Sequence, residues 1–208
     1  MIDVEVDLNQ VRVPLSWREL FGRDAPTDVE IGSGKGRFLL ELAVTRAERN
    51  LLAVERAAKY HRLCCERAAK RGLTNIRLIR TTAEDLLFRL LEPGSVANLY
   101  VLFPDPWPKK RHHKRRLFTA EVVTAMQNAL RPMGRLLVKS DHFEYAEVIR
   151  QALDGAPELQ RLDTDAAFAD LPVTGFEHKY LDQGRTIFAF AYEKTAVPNH
   201  SRSRDSDS

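Results

Sequence analysis

The sequence predicts an α/β fold, a doubly wound Rossmann-like sheet that is mostly parallel with one late antiparallel strand. Three observations predict it. Short apolar runs alternate with helical patterns through most of the chain. A glycine turn, Gly32-Ser33-Gly34-Lys35-Gly36, closes the first of those runs. A last run, Thr186 to Tyr192, has no helix after it and so can return antiparallel at the end of the sheet.

The elements follow in order. Asp28 to Ile31 is a buried strand ending at glycines, and Phe38, Leu39, Leu42 and Ala43 then recur at helical spacing. Leu51 to Val54 is the second strand; Ala57 to Arg71 is an Ala-rich helix closed by Gly72. Ile76 and Leu78 alternate with polar neighbours as the third strand, and Ala83 to Leu91 is helical up to Pro93-Gly94. Val96 to Phe103 is the fourth strand. Leu117 to Leu130 is a helix ended by Pro132-Met133-Gly134, Leu136 to Lys139 the fifth strand, and His142 to Leu153 the next helix. Residues 1–195 are expected to form one domain. Residues 196–208, polar, Ser/Arg/Asp-rich and without periodicity, are expected to be a disordered tail.

The chain has 208 residues, 44% hydrophobic and 29% charged, enough for one full-sized core. No apolar run approaches the roughly 20 residues of a membrane helix. The acidic start lacks the regions of a signal peptide. Adjacent Cys64 and Cys65 suit neither a disulfide framework nor zinc, so no metal and a reducing cytoplasm are expected. Nothing points to a protein partner; a monomer or homodimer is expected. The net charge of +3 is unevenly placed. Lys109 to Arg116 holds six of the 32 Lys/Arg and no acid, leaving 26 cations against 29 acids elsewhere. Such a run is often only solvated, but a local positive field is also what a nucleic-acid contact requires.

In a doubly wound sheet, ligands sit beyond the carboxyl ends of the strands. The first strand ends in Glu30-Ile31-Gly32-Ser33-Gly34-Lys35-Gly36 and the second at Glu55. A dinucleotide site and an S-adenosylmethionine site compete for this pattern. The third glycine comes one residue early for G-x-G-x-x-G, and Glu30 would repel a pyrophosphate but attract the ammonium of a methionine moiety. S-adenosylmethionine is favoured, with Glu30, Gly32 and Gly34 around it and Glu55 on its ribose hydroxyls. After the third strand, Thr82, Ala83 and Glu84 offer hydroxyl, backbone and carboxylate acceptors for an adenine amino group. Glu84 and Asp85 also suit a helix's first turn.

The fourth strand ends in Phe103-Pro104-Asp105-Pro106-Trp107-Pro108-Lys109-Lys110. Flanking prolines stiffen the loop and aim the Asp105 carboxylate. Trp107 offers a flat face to an unstacked base, and the cations follow at once. Taken singly, Trp107 reads as core, Asp105 as a turn residue and the run as solvent-facing. Twelve residues holding all three favour a site.

Phe103 to His112 with Lys114-Arg115-Arg116 resembles the signature of the bacterial tRNA (guanine-N7)-methyltransferases. Thr174-Gly175-Phe176-Glu177-His178-Lys179, the Glu30 to Gly36 turn and Trp17 to Gly22 are similar to that family too, so the resemblance runs from about Trp17 to Glu193. It implies a Rossmann-like methyltransferase that moves a methyl group from S-adenosylmethionine to N7 of a guanine in the variable loop of tRNA. It implies Glu30, Glu55 and Asp105 at the cofactor, with Asp105 at the methyl-transfer point. Lys109, Asp141, Thr174, Gly175, Phe176 and Glu177 would meet the RNA. The family usually has Asp where this chain has Thr82. Rival readings are a methyltransferase for a small molecule or protein, opposed by the basic run, and a non-catalytic RNA-binding protein, opposed by the Glu30, Glu55 and Asp105 set.

Overall fold

A computed structural model describes residues 4–196. Seven strands form one sheet in the order β3-β2-β1-β4-β5-β7-β6. They are β1 (Thr27–Ile31), β2 (Asn50–Val54), β3 (Ile76–Ile79), β4 (Val96–Leu102), β5 (Leu130–Ser140), β6 (Leu159–Arg161) and β7 (Phe188–Lys194). β1 to β5 are mutually parallel, while β7 runs antiparallel to both β5 and β6. The expected doubly wound, mostly parallel sheet with a late antiparallel strand is therefore observed. The tail expected at 196–208 lies, from residue 197 on, outside the described residues, as do Met1 to Asp3.

The helices are α1 (Trp17–Phe21), α2 (Arg37–Thr45), α3 (Ala58–Lys70), α4 (Ala83–Asp85), α5 (Ala120–Ala129), α6 (Phe143–Asp154), α7 (Thr164–Phe168) and α8 (Gly175–Asp182). Strand alternation divides the core in two. Leu51, Ala53, Leu78 and Tyr100 pack with Phe38 and Leu39 of α2 and Cys64 and Ala68 of α3 on one face. Val29, Ile31, Leu52 and Leu99 pack with Met126 of α5 and Ile149 of α6 on the other. Both sheet faces are covered, which is why the strands read as continuous apolar runs. No helix among the described residues is long and apolar enough to cross a membrane.

Several local expectations are corrected. The fifth strand starts at Leu130, not Leu136. It pairs Leu130 with Val96 and Arg135 with Asn98, so residues between them, including Pro132, bulge out of the ladder. A bulge is where a strand tolerates Pro. α5 starts at Ala120, capped by the Thr119 hydroxyl accepting from Val122 N–H, because Leu117 and Phe118 instead donate their N–H groups to Tyr145 Oη. The helix expected over 83–91 is one α-turn followed by a π-turn, Leu86–Leu90. β6, α7 and α8 carry no apolar periodicity long enough to announce them. α8 did carry one signal, the capping box Thr174-x-x-Glu177, in which Thr174 Oγ1 accepts from Glu177 N–H and Glu177 reaches back to Thr174 N–H.

Candidate active site

The sheet order reverses between β1 and β4, whose onward connections lead to opposite sides. Their carboxyl ends form the crevice where such sheets bind ligands. The turn after β1 is hung on β2: Gly32 and Ser33 both donate backbone N–H groups to Val54 O. Gly34 has φ +54° and faces open space, whereas a Cβ on Gly36 would stand 2.1 Å from Cys64 Sγ. Gly34 thus leaves room for a ligand, and Gly36 lets α2 start hard against α3.

Glu30 is 3% exposed, and its Oε2 has no hydrogen-bond partner among the described residues. Burial, and secondarily the Glu55 charge, push its carboxyl up to about 8. Ser33 Oγ, also buried, lacks a partner too. Buried polar atoms without partners are rare, and a binding site is a sufficient reason for them. An ammonium donated to Glu30 and an acceptor offered to Ser33 would satisfy both. A bound amino acid moiety carries that pair of groups, so the residues fit the methionine end of S-adenosylmethionine. Ser33 was not foreseen, because a serine within a glycine turn reads as backbone chemistry. Glu55, at the end of β2, accepts from Gly34 N–H at 2.8 Å and from Ala57 N–H at 2.7 Å. It stands beside the turn, as a ribose ligand must.

By contrast, Asp28, the other buried acid of β1, is fully engaged by Arg49 and Asn98 and is structural. Burial raises its carboxyl and the Arg49 bond opposes that. The cysteines stay free in α3, and burial drives the Cys64 thiol up to about 12, so it is inert. No cluster of metal-binding side chains occurs among the described residues.

At the end of β3, Thr82 caps α4, its hydroxyl accepting from Asp85 N–H. Asp85 is taken by Thr81 and by Arg89, whose hydrogen bond lowers its carboxyl most. Of the three residues expected at an adenine, Thr82 and Glu84 are exposed and Ala83 is half-buried.

The loop after β4 runs between two non-glycine residues with left-handed backbone, Phe103 at φ +58° and Trp107 at φ +44°. Such strain persists only where surroundings enforce it, and it concentrates at functional sites. Phe103 N–H is fixed on Lys139 O. Asp105 is exposed, with no hydrogen bond or ion pair among the described residues. One face of Trp107 is covered by the Arg115 guanidinium, 4.9 Å from the ring centroid, and His112 meets the ring edge-on. The open stacking face expected there is thus partly occupied. The basic run folds into a 3-10 turn, Lys110–Arg115. Lys109, Lys110, Arg111, Lys114 and Arg115 are exposed; Arg116 is 8% exposed and belongs to the packing, so the strip offers five cations, not six.

α8 brings the remaining expected residues to this edge. Gly175 lies 3.5 Å from Arg37 Cδ, at the start of α2. Glu177 pairs with Lys139 at the end of β5, Nζ to Oε1 at 2.5 Å, and Asp141 pairs with Arg185 at 2.8 Å. Phe176, 53% exposed, stacks on Tyr180, and both rings adjoin Phe103. Glu30, Glu55, Asp105, Asp141 and the Thr174–Glu177 segment are therefore gathered at the carboxyl end of the sheet from positions 147 residues apart in sequence.

Known proteins agree with this arrangement. Residues 24–190 match a family described as putative methyltransferase. The tRNA (guanine-N(7)-)-methyltransferase of Alkalilimnicola ehrlichii is 37% identical over 190 residues, covering 89% of this chain and 79% of its own. That of Mycobacterium tuberculosis H37Rv is 38% identical over 188 residues, covering 87% and 71%. The chain belongs to the tRNA (guanine-N(7)-)-methyltransferase family. The fold of this methyltransferase is shared more widely. The 16S rRNA methyltransferase KamB superposes with a TM-score of 0.59 at 19% identity, covering 88% of this chain and 93% of its own.

Proposed function

We propose that this methyltransferase takes its methyl group from S-adenosylmethionine and places it on N7 of a guanine in the variable loop of tRNA, in the cytoplasm, using residues 1–195 as a single domain. The observation that carries the reading is a juxtaposition. Buried Glu30 with an unpartnered oxygen, the strained Asp105 loop and a strip of five exposed cations share one sheet edge.

Bound S-adenosylmethionine supplies an electrophilic sulfonium methyl. Glu30 and Ser33 hold its amino acid end and Glu55 its ribose. Gly32 and Gly34 keep the turn low enough for approach, and Thr82, Ala83 or Glu84 accepts from the adenine. Lys109 and the cations after it meet phosphates, which orients the RNA without reading its sequence. Asp141, Thr174, Gly175, Phe176 and Glu177 frame the guanine from the β5 and α8 side. N7 already has a free lone pair, as its role as a groove acceptor shows, so no protein base must remove a proton from it. The chain's task is positional and electrostatic. Asp105 faces the base as it gains positive charge, and its carboxylate stabilises that charge.

The deciding experiment incubates purified protein with unmodified tRNA and S-adenosylmethionine, then digests the tRNA for nucleoside mass spectrometry and maps the modified position. The expected product is 7-methylguanosine confined to the variable loop. Methylation at another atom, at another tRNA position, or of RNA-free acceptors would overturn the reading.

A further inference from the structure

We propose that Arg116 is a positioning residue for the Asp105 loop and not a phosphate ligand, although it closes the basic run. The proposal rests on the reading of Asp105 as the residue at the methyl-transfer point. Arg116 is the one cation of Lys109 to Arg116 that is buried. Its Nε donates to Pro106 O at 2.8 Å, one residue beyond Asp105, and its Nη2 donates to Glu144 Oε1 at 3.1 Å. Its guanidinium lies over the Tyr145 ring, 5.0 Å from the centroid. Tyr145 is itself fully buried in α6 and accepts from Leu117 N–H and Phe118 N–H. The loop is thereby bolted to α6 through a planar fork that only arginine provides.

The position of the bolt matters. Pro104 and Pro106 fix two of the loop's φ angles, and Phe103 N–H is tied to Lys139 O. What remains free is the peptide leading from Pro106 into Trp107, whose left-handed backbone is strained. Arg116 grips the carbonyl of that peptide. Released from Arg116, Trp107 can relax to an ordinary conformation, and the relaxation swings the preceding Asp105. The neighbouring Arg115 on the Trp107 ring supports the same turn from outside but stays exposed and free to meet RNA.

The test compares Arg116→Gln and Arg116→Lys with the parent, alone and combined with Asp105→Asn. Single-turnover methyl transfer is read at saturating tRNA and S-adenosylmethionine, beside the salt slope of tRNA binding, cofactor affinity and thermal unfolding. Arg116→Gln should slow transfer by about 100-fold, the loss expected when a reacting group moves by about 1 Å. Cofactor affinity and salt slope should stay parental. Arg116→Lys, which can reach only one of the two acceptors, should fall between. On the Asp105→Asn background, Arg116→Gln should cost less than about threefold, because the group it positions no longer carries charge. A parental rate in Arg116→Gln, or a salt slope reduced by about one with the rate restored by more tRNA, would make Arg116 a phosphate ligand or a bystander. The full loss repeated on the Asp105→Asn background, or loss of cooperative unfolding in both Arg116 variants, would make it a folding residue. A slow Asp105→Asn beside an unaffected Arg116→Gln overturns this proposal alone. A parental Asp105→Asn overturns the role of Asp105 and the proposal with it.

Discussion

The Glu55 carboxylate accepts the backbone N–H of Gly34 at 2.8 Å, tying the end of β2 to the glycine turn after β1. One side chain thus shapes the turn and stands ready for a ribose. Glu55→Ala should weaken S-adenosylmethionine binding by at least tenfold, from the loss of a charged hydrogen-bond acceptor worth about 1.5–3 kcal/mol. Isothermal calorimetry checks it. Unchanged affinity, or tighter binding of NAD by the parent, removes the assignment.

Glu30 yields a pH prediction. Its carboxyl lies at about 8 in the folded protein against 4.5 ordinarily, raised by burial first and Glu55 second. A group raised on folding contributes stability below its unfolded value and loses it as pH rises through the folded one. Ligand-free protein should therefore lose stability between about pH 4.5 and 8, on the order of a few kcal/mol. Glu30→Gln should abolish that loss and be more stable than the parent at pH 8. An ammonium reverses the balance by favouring the charged form. Cofactor binding below pH 8 should release a proton in the parent and none in Glu30→Gln. Urea titrations across pH test the first statement, and calorimetry in buffers of differing ionisation heat tests the second.

Neutralising Lys110, Arg111, Lys114 and Arg115 together should reduce the salt slope of tRNA binding by roughly three to four, the number of phosphates released. Binding measured from 50 to 300 mM salt decides the matter, and an unaltered slope would mean the cations are merely solvated.

Asp105→Asn keeps the size of the side chain and removes its charge. Methyl transfer should slow by about 2–4 kcal/mol in barrier, the cost of one preorganised electrostatic contact, while cofactor affinity changes little. Since N7 needs no deprotonation, the parent's single-turnover rate should show no pH step belonging to a general base here. A near-parental rate in the variant would leave Asp105 a loop-shaping residue.

The glycine turn offers a contrast. Gly34→Ala should cost about 1–2 kcal/mol, the left-handed penalty alone, since its Cβ meets nothing within 4 Å. Gly36→Ala adds a 2.1 Å approach to Cys64 Sγ and should cost about 1–3 kcal/mol more. Cys64→Ala should recover part of the Gly36 loss and none of the Gly34 loss. Thermal unfolding of the five proteins completes the cycle.

The alternation of elements, the first strand with Glu30, and the Asp105 loop with its cations were legible in the sequence, because each is local. A buried strand is a continuous apolar run, and a loop stiffened by prolines declares itself in six residues. α8 was only half legible. Its capping box is written in Thr174 and Glu177, but its place over the site depends on Lys139 and Arg37, far away in sequence. The tertiary structure alone decided which like residues differ in role. Asp28 and Glu30 are both buried acids of β1, and only the first meets an arginine. Arg115 and Arg116 are adjacent in one charge run, yet one stays exposed while the other is buried against Tyr145 and Pro106. The physical reason is the same in both cases: residue type sets what a group can bond, and burial and partners are set by chain segments that sequence proximity does not reveal.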